Sequence, residues 1–382
     1  MRIVHVHHHY WPIIGGMETA IASLAAEQVK RGHEVHVITS RYGADKRPNE
    51  EVMNGVHIHR VKATRMHFPD ITIPLELPQD IIKDADIVHA HSQNSYFSLR
   101  VAEEARRRGV PVAFHLMALD ALGDHPNPLV RLLGPTYASR AARKAIEIAS
   151  VTMVKSGWDL ERARALGADP ILVPDGVSDL LLSLPRDPEA GRKLVGLGEP
   201  YFAYVGRLHA LKGIDVLLRA LAEARRMGAE VGVAIAGPGD PAPYLRLAER
   251  LGVAGHVRFL GYVSEEQKAH LIDGAVALVV PSVSNYVEAY SIAASEAWAR
   301  GRPVIASAVG ALRYRVRDGV SGLLVPPRDP SALALAMARL AASPEDADKM
   351  GRAGRPEALS WSQVYEIVME AYRRALGETA GR

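Results

Sequence analysis

The feature that most constrains this chain is a rhythm. Short runs of β-branched and other apolar residues alternate with longer amphipathic stretches, and the pattern restarts past the middle. In the first half the strand-like runs are 2–6, 34–40, 56–61, 86–89, 110–116, 151–154 and 171–173, with helical patterns at 17–31 and 98–108. In the second half they are 201–205, 230–237, 257–261, 275–280 and 303–307. Strands of this kind separated by helices predict a parallel sheet covered on both faces. Pro185, Arg186, Asp187 and Pro188 read as a linker. The expectation is therefore two α/β domains, 1–184 and 185–359, facing a central cleft. The amphipathic 361–376 stretch, within a C-terminal segment 360–382, is long enough to return to the first domain. Ligands of such sheets bind outside the carboxyl ends of the strands.

Composition narrows the function. A chain of 382 residues exceeds what one core usually covers, and 48% hydrophobic with 23% charged residues is an ordinary globular balance. No apolar run approaches a membrane span and no secretory signal precedes the first strand, so a cytoplasmic protein is expected. The absence of cysteine excludes disulfides, thiolate metal sites and cysteine nucleophiles. Sparse Asn and Gln with frequent Arg point to a thermophilic source. A net charge of +3 gives no argument for a nucleic-acid partner.

The chemistry concentrates after the strands of the second half. In EAYSIAASE, Glu288 precedes a helix that begins near Ser291, and Glu296 lies about two turns along it. The helix start offers free N–H groups and a positive dipole end, suited to a phosphate. A solvated pair of carboxylates flanking a helix start is the plain alternative. In YFAYVGRLHALKG, Gly206, Arg207 and Lys212 follow a strand and precede a helix. Two cations there suit a diphosphate, although either alone is more often a surface charge. Gly15 and Gly16, after the first strand, permit close approach of backbone to phosphate or sugar.

With these segments in order, the chain resembles the retaining glycosyltransferases of family 4, which have the GT-B fold of two Rossmann-like domains. GGME at 15–18, DIVHAHS at 86–92, VPVAFHLMALD at 110–120, VPDGV at 173–177, GRLHALKG at 206–213, EAYSIAASEAWARGRPVIAS from 288 and SWSQVYEIVMEAY near the end carry the resemblance. It implies that Glu288 binds sugar hydroxyls and Glu296 the ribose. Arg207 and Lys212 would offset charge on the departing diphosphate. His115 would contact the sugar, and Gly16 the phosphate. Gly15, Gly206, Gly237, Tyr290, Ser291 and Ile292 complete the implied donor-binding set. Attack from the leaving-group face needs neither a protein nucleophile nor a metal, unlike the carboxylate pairs of glycosidases. No cofactor is implied; the nucleotide-sugar is a substrate.

One segment departs from the family pattern. Where the family usually reads Gly-Gly-x-x-Glu, this chain has Gly310, Ala311, Leu312, Arg313 and Tyr314. The histidines at 5, 7, 8 and 9 raise the question of a metal, to which His89, His91 and His115 could contribute. The preferred reading is a strand, with His5 and His7 on one face and His8 lining the acceptor cleft. DAD at 84–86 precedes its strand and GPGD at 237–240 lacks a third glycine, so neither reads as a metal or dinucleotide motif.

Three functions fit these residues: hexose transfer from a UDP- or GDP-sugar, epimerisation of such a donor, and binding without turnover. An epimerase would form product from donor alone; a silent binding protein would turn over nothing, water included. The acceptor is a sugar or a lipid-linked hydroxyl. Arg131, Arg140, Arg143 and Lys144, with the 60–74 segment, are candidates for an anionic membrane surface, although a solvated helix face is the default. Base discrimination is expected around 261–264.

Overall fold

The computed structural model describes residues 1–13, 15–67 and 70–377. The chain divides into two compact units, one comprising 1–175 and 361–382, the other 176–360.

The first unit is built on an eight-stranded sheet. Its strands are β1 (Arg2–Val6), β2 (Glu34–Ser40), β3 (Glu50–Met53), β4 (Val56–Val61), β7 (Ile87–His91), β8 (Val112–Leu116), β9 (Val151–Val154) and β10 (Ile171–Leu172); β5 (Ala63–His67) and β6 (Asp70–Pro74) form a separate antiparallel pair. The order is β10-β9-β8-β7-β1-β2-β4-β3, parallel except for β3 against β4. Ile3, Val4 and Val6 are fully enclosed, as are Val37, Ile38, Val88 and Phe114, because helices cover both faces. The hairpin accounts for the 60–74 segment, of which residues 68 and 69 lie outside the described residues.

The C-terminal helix Trp361–Ala375 belongs to this unit. It packs on the Gly16–Lys30 helix and on β8 and β9. Arg31 donates to Glu366 at 3.1 Å and to Ser362 at 2.6 Å, and Gln28 donates to Tyr372 Oη at 3.3 Å. The return of the chain expected from its amphipathic end is thus present; residues 378–382 of that expected segment lie outside the described residues.

The second unit carries a six-stranded, wholly parallel sheet. Its strands are β11 (Tyr201–Val205), β12 (Gly232–Ala236), β13 (Val257–Gly261), β14 (Leu278–Val280), β15 (Val304–Ser307) and β16 (Gly322–Val325). They run in the order β13-β12-β11-β14-β15-β16. The order reverses between β11 and β14, and in open α/β sheets the carboxyl ends of the strands at such a reversal are where ligands bind.

The unit boundary falls at 175/176, not at the 184/185 expected from the prolines. The reason is a buried ion pair. Arg300 binds Asp273 through two bonds of 2.9 and 2.6 Å, and also donates to the carbonyls of Leu181, Leu184 and Pro185 at 2.9, 2.7 and 3.2 Å. Asp187 N–H donates to the same Asp273 carboxylate at 3.0 Å. With Leu181 enclosed, this hub holds segment 178–187 to the second unit ahead of the linker prolines. Both partners are buried, and removing Arg300 leaves the Asp273 carboxylate only the looser, partly exposed Arg186 at 3.7 Å as a cationic partner. Arg300→Met is expected to destabilise the unit by about 3–5 kcal/mol in urea denaturation. A loss below about 1 kcal/mol, the value of a surface pair, would contradict the hub.

Candidate active site

The carboxyl ends of β11 and β14 assemble the charged residues of the second unit. Backbone closeness comes first. A Cβ on Gly237 would fall on the carbonyl of Gly206, and one on Gly213 would fall on the carbonyl of Pro281; both glycines have positive φ, +140° and +72°. Only glycine permits these approaches. They bring the loop after β11 against the loops after β12 and β14. The GPGD segment is a strand-to-helix turn that packs its first glycine on the loop after β11.

Lys212 closes the arrangement. Its Nζ donates to Glu288 Oε1 at 2.6 Å and to the Val287 carbonyl at 3.2 Å, while Ser282 Oγ donates to the same Glu288 oxygen at 2.6 Å. Glu288 is 1% exposed, so these charge-assisted bonds hold it in one position. Arg207, exposed at the end of β11, has its carbonyl fixed by Tyr204 Oη at 2.8 Å.

Glu296 lies on the Ile292–Ala299 helix and is buried. It accepts from Lys268 Nζ at 2.6 Å, and Lys268 also donates to Glu265 at 2.6 Å. Burial works against the lysine's charge, but the two carboxylates outweigh it and hold its pKa above the ordinary range. A capping box positions Lys268: Ser264 Oγ accepts from Gln267 N–H at 3.1 Å, and Gln267 Oε1 accepts from Ser264 N–H at 2.9 Å.

The helix carrying Glu296 starts abnormally. Its N-cap, Ser291, has φ +70°, a left-handed conformation that costs a non-glycine residue roughly 1–2 kcal/mol. Arg315 holds it there. Its guanidinium lies 3.7 Å over the Tyr290 ring and donates to the carbonyls of Tyr290 and Ser291 at 2.9 and 2.8 Å and to Ser295 Oγ at 2.7 Å. The N–H groups of the first turn, beginning at Ile292, therefore end at a defined place beside Glu288 in sequence and Glu296 in structure.

The backbone at 310–311 accounts for the missing second glycine, and nothing in the structure explains Tyr314. Gly310 has φ +49°, and a Cβ there would fall on the Glu288 carbonyl; Ala311, at φ −66° and ψ −24°, needs no glycine and donates its N–H to that carbonyl at 2.9 Å. Tyr314 is exposed.

In the first unit, Gly15 caps the Gly16–Lys30 helix, and the space that a Cβ on Gly16 would fill is open. His115 does not present itself to solvent. It sits on β8 beside His91 of β7, bonded to the backbone of Val173, with its Nε2 enclosed and without a hydrogen-bond partner among the described residues. Alternation along β8 turns this ring onto the sheet face covered by the first and last helices, where it borders a small cavity with Lys155 and Asp175. His5 and His7 share that face, and His8 donates to or accepts from Ser95 Oγ at 2.9 Å. Asp84 and Asp86 contact Arg2 at the amino end of β1, as their position before the strand implied.

Sequence reading missed Lys268, Ser282 and Arg315. Only contacts across the fold reveal them, although the Ser264–Gln267 capping box marks the helix that bears Lys268.

Both halves of the chain match known domains: residues 15–176 the "Glycosyl transferase 4-like domain", and residues 186–357 "Glycosyl transferases group 1". The chain belongs to this family of glycosyltransferases, with the GT-B fold. It is 33% identical over 407 residues to D-inositol 3-phosphate glycosyltransferase of Frankia alni, covering 96% of each chain. With the same-named enzyme of Segniliparus rotundus it shares 32% over 394 residues, 95% of this chain and 85% of the other. Among solved structures, sucrose-phosphate synthase of Thermosynechococcus elongatus superposes with TM-score 0.78 at 24% identity, covering 99% and 100% of the two chains. Anabaena HepE, crystallised with UDP, superposes with TM-score 0.73 at 18% identity, covering 97% and 99%.

The backbone account predicts an asymmetry within one dipeptide. Gly310→Ala should cost about 2 kcal/mol or more in urea denaturation, through strain and displacement of Glu288. Ala311→Gly should cost about 1 kcal/mol or less. Equal losses would contradict it.

Proposed function

We propose that the protein transfers a hexose from a UDP- or GDP-sugar to an acceptor hydroxyl with retention of configuration and without a metal in the chemical step. The observation that carries this reading is the Lys212–Glu288–Ser282 cluster beside Arg207 at the strand ends. It pairs diphosphate-directed cations with a rigid carboxylate for sugar hydroxyls. The Ile292–Ala299 helix start suits the phosphates, and Glu296, steadied by Lys268, the ribose. The acceptor oxygen bonds to the anomeric carbon as the bond from that carbon to the diphosphate breaks on the same face. The acceptor proton passes to the departing diphosphate. Arg207 and Lys212 stabilise the charge that develops there; such fixed groups lower barriers because they need no reorganisation.

The name of the Frankia alni relative makes a phosphorylated polyol one acceptor class to test. A lipid-linked acceptor is the other, supported by a different observation. On the Pro128–Ile148 helix, Leu132 and Leu133 are 73% and 58% exposed, with Arg131, Arg140 and Arg143 exposed on the same helix. Exposed apolar side chains among arginines suit an anionic membrane surface. No helix among the described residues is long and apolar enough to cross a membrane.

Two outcomes follow. In calorimetry, UDP or GDP should bind equally with and without EDTA. Glu296→Ala should weaken it at least about tenfold and Lys212→Ala should lower kcat about 100-fold. Metal-dependent binding, or an unchanged Glu296→Ala, would contradict the donor assignment. In co-sedimentation, vesicles containing anionic lipid should retain the protein at low salt, and Leu132→Glu with Leu133→Glu should release it. Equal retention by neutral vesicles would contradict the membrane reading.

A further inference from the structure

The first unit holds a feature that donor binding does not use. One face of its sheet gathers imidazoles from adjacent strands: His5 of β1 stands beside His89 of β7, and His91 of β7 beside His115 of β8. His5, His89 and His91 are buried between the sheet and the covering helices, and one ring nitrogen from each lies within 4.8 Å of the other two. Nδ1 of His5 and Nε2 of His91 are 3.0 Å apart. Nε2 of His89 is buried with no hydrogen-bond partner among the described residues.

The far sides of two of these rings are tethered. His5 Nε2 lies 2.7 Å from Gln28 Oε1, and His89 Nδ1 lies 2.9 Å from Tyr372 Oη. His5 Nε2–H donates to Gln28 Oε1; Tyr372 Oη already accepts from Gln28 Nε2, so ion binding requires the His89 proton on Nδ1, toward the second lone pair of Tyr372 Oη, which leaves the inner nitrogens of both rings with their lone pairs. An acceptor behind each ring is how proteins orient histidines that ligate metals. We propose that His5, His89 and His91 form a structural site for a divalent transition-metal ion of the zinc class, held through His5 Nδ1, His89 Nε2 and His91 Nε2.

Neutral imidazoles suit Zn²⁺, Co²⁺ and Ni²⁺. A tetrahedral ion about 2.0–2.1 Å from each nitrogen sets the nitrogens about 3.3 Å apart, so the rings close by at most roughly 1.5 Å. His91, which shares a proton with His5 when no ion is bound, carries it on Nδ1 instead, and no proton is lost. The nearby Lys155 ammonium opposes a cation but is neutralised by its ion pair with Asp175. An adjoining cavity of about 10 Å³, lined by His91 and His115, has room for one water as a fourth ligand. The ion would join β1 and β7 and, through Gln28 and Tyr372, the first and last helices.

The test uses the full chain purified without a histidine tag. Elemental analysis after desalting should find about one zinc-class ion per chain. Protein stripped with a chelator under mild denaturant and refolded should gain about 5 °C or more in Tm when Zn²⁺ is supplied at about 100 times Kd. Co²⁺ should give the intense visible bands of a tetrahedral site. Gln28→Leu, which keeps all three ligands, should weaken Zn²⁺ about 10–100-fold, and His89→Gln should abolish the cobalt bands. No bound metal together with no Zn²⁺-dependent rise in Tm of the stripped wild type would overturn the proposal. So would undiminished cobalt bands in His89→Gln.

Discussion

Close backbone contact at glycine is the constraint on which the second unit depends. Four loops leave neighbouring strands, those after β11, β12, β14 and β15, and meet where Gly237 lies on Gly206, Gly213 on Pro281 and Gly310 on Glu288. Each contact leaves no room for a side chain. Because the loops are pinned, Lys212 and Glu288, distant in sequence, stand at hydrogen-bonding distance without long flexible connections. The electrostatics then follow from the packing. Each of the two glutamates is held by its own lysine, Glu288 by Lys212 and Glu296 by Lys268.

Those pairs also show how charge is kept near neutral before a ligand arrives. A buried carboxylate without a partner would be costly, and a cluster of lysines without carboxylates would repel itself. On the account proposed above, a diphosphate enters by sharing Lys212 with Glu288, and Arg207 needs no release because it already stands exposed. Strain at Ser291 belongs to the same economy. The left-handed cap turns the helix start away from an ordinary N-cap, and Arg315 supplies the bonds that make it persist.

Much of the architecture was legible from residue pattern alone. Runs such as 2–6, 34–40, 151–154 and 201–205 coincide with strands because β-branched residues buried on both faces leave little alternative. The misses have physical causes. β16, GLLV, is short and follows an exposed turn, so its apolar run is too brief to distinguish from a loop. The domain boundary was misplaced because prolines mark local chain direction, whereas the Arg300–Asp273 hub that decides it joins residues far apart in sequence. Among the candidate site residues, Arg207, Lys212 and Glu288 were singled out by their place after strands and Glu296 by its place on a helix, and the structure joins Lys212 to Glu288. Lys268 and Arg315 were not, since their roles arise only from contacts across the unit. His115 was readable as a strand residue, but its place beside His91 is set by the register of β8 against β7.

The account rests on the strand ends of the second unit being where the nucleotide binds. Hydrogen–deuterium exchange with saturating UDP or GDP, whichever binds, tests this most directly. The account predicts slowed exchange in residues 206–213 and 288–296, with little change at the amino ends of the same strands. Saturated binding that leaves both segments exchanging at their free rates would contradict it.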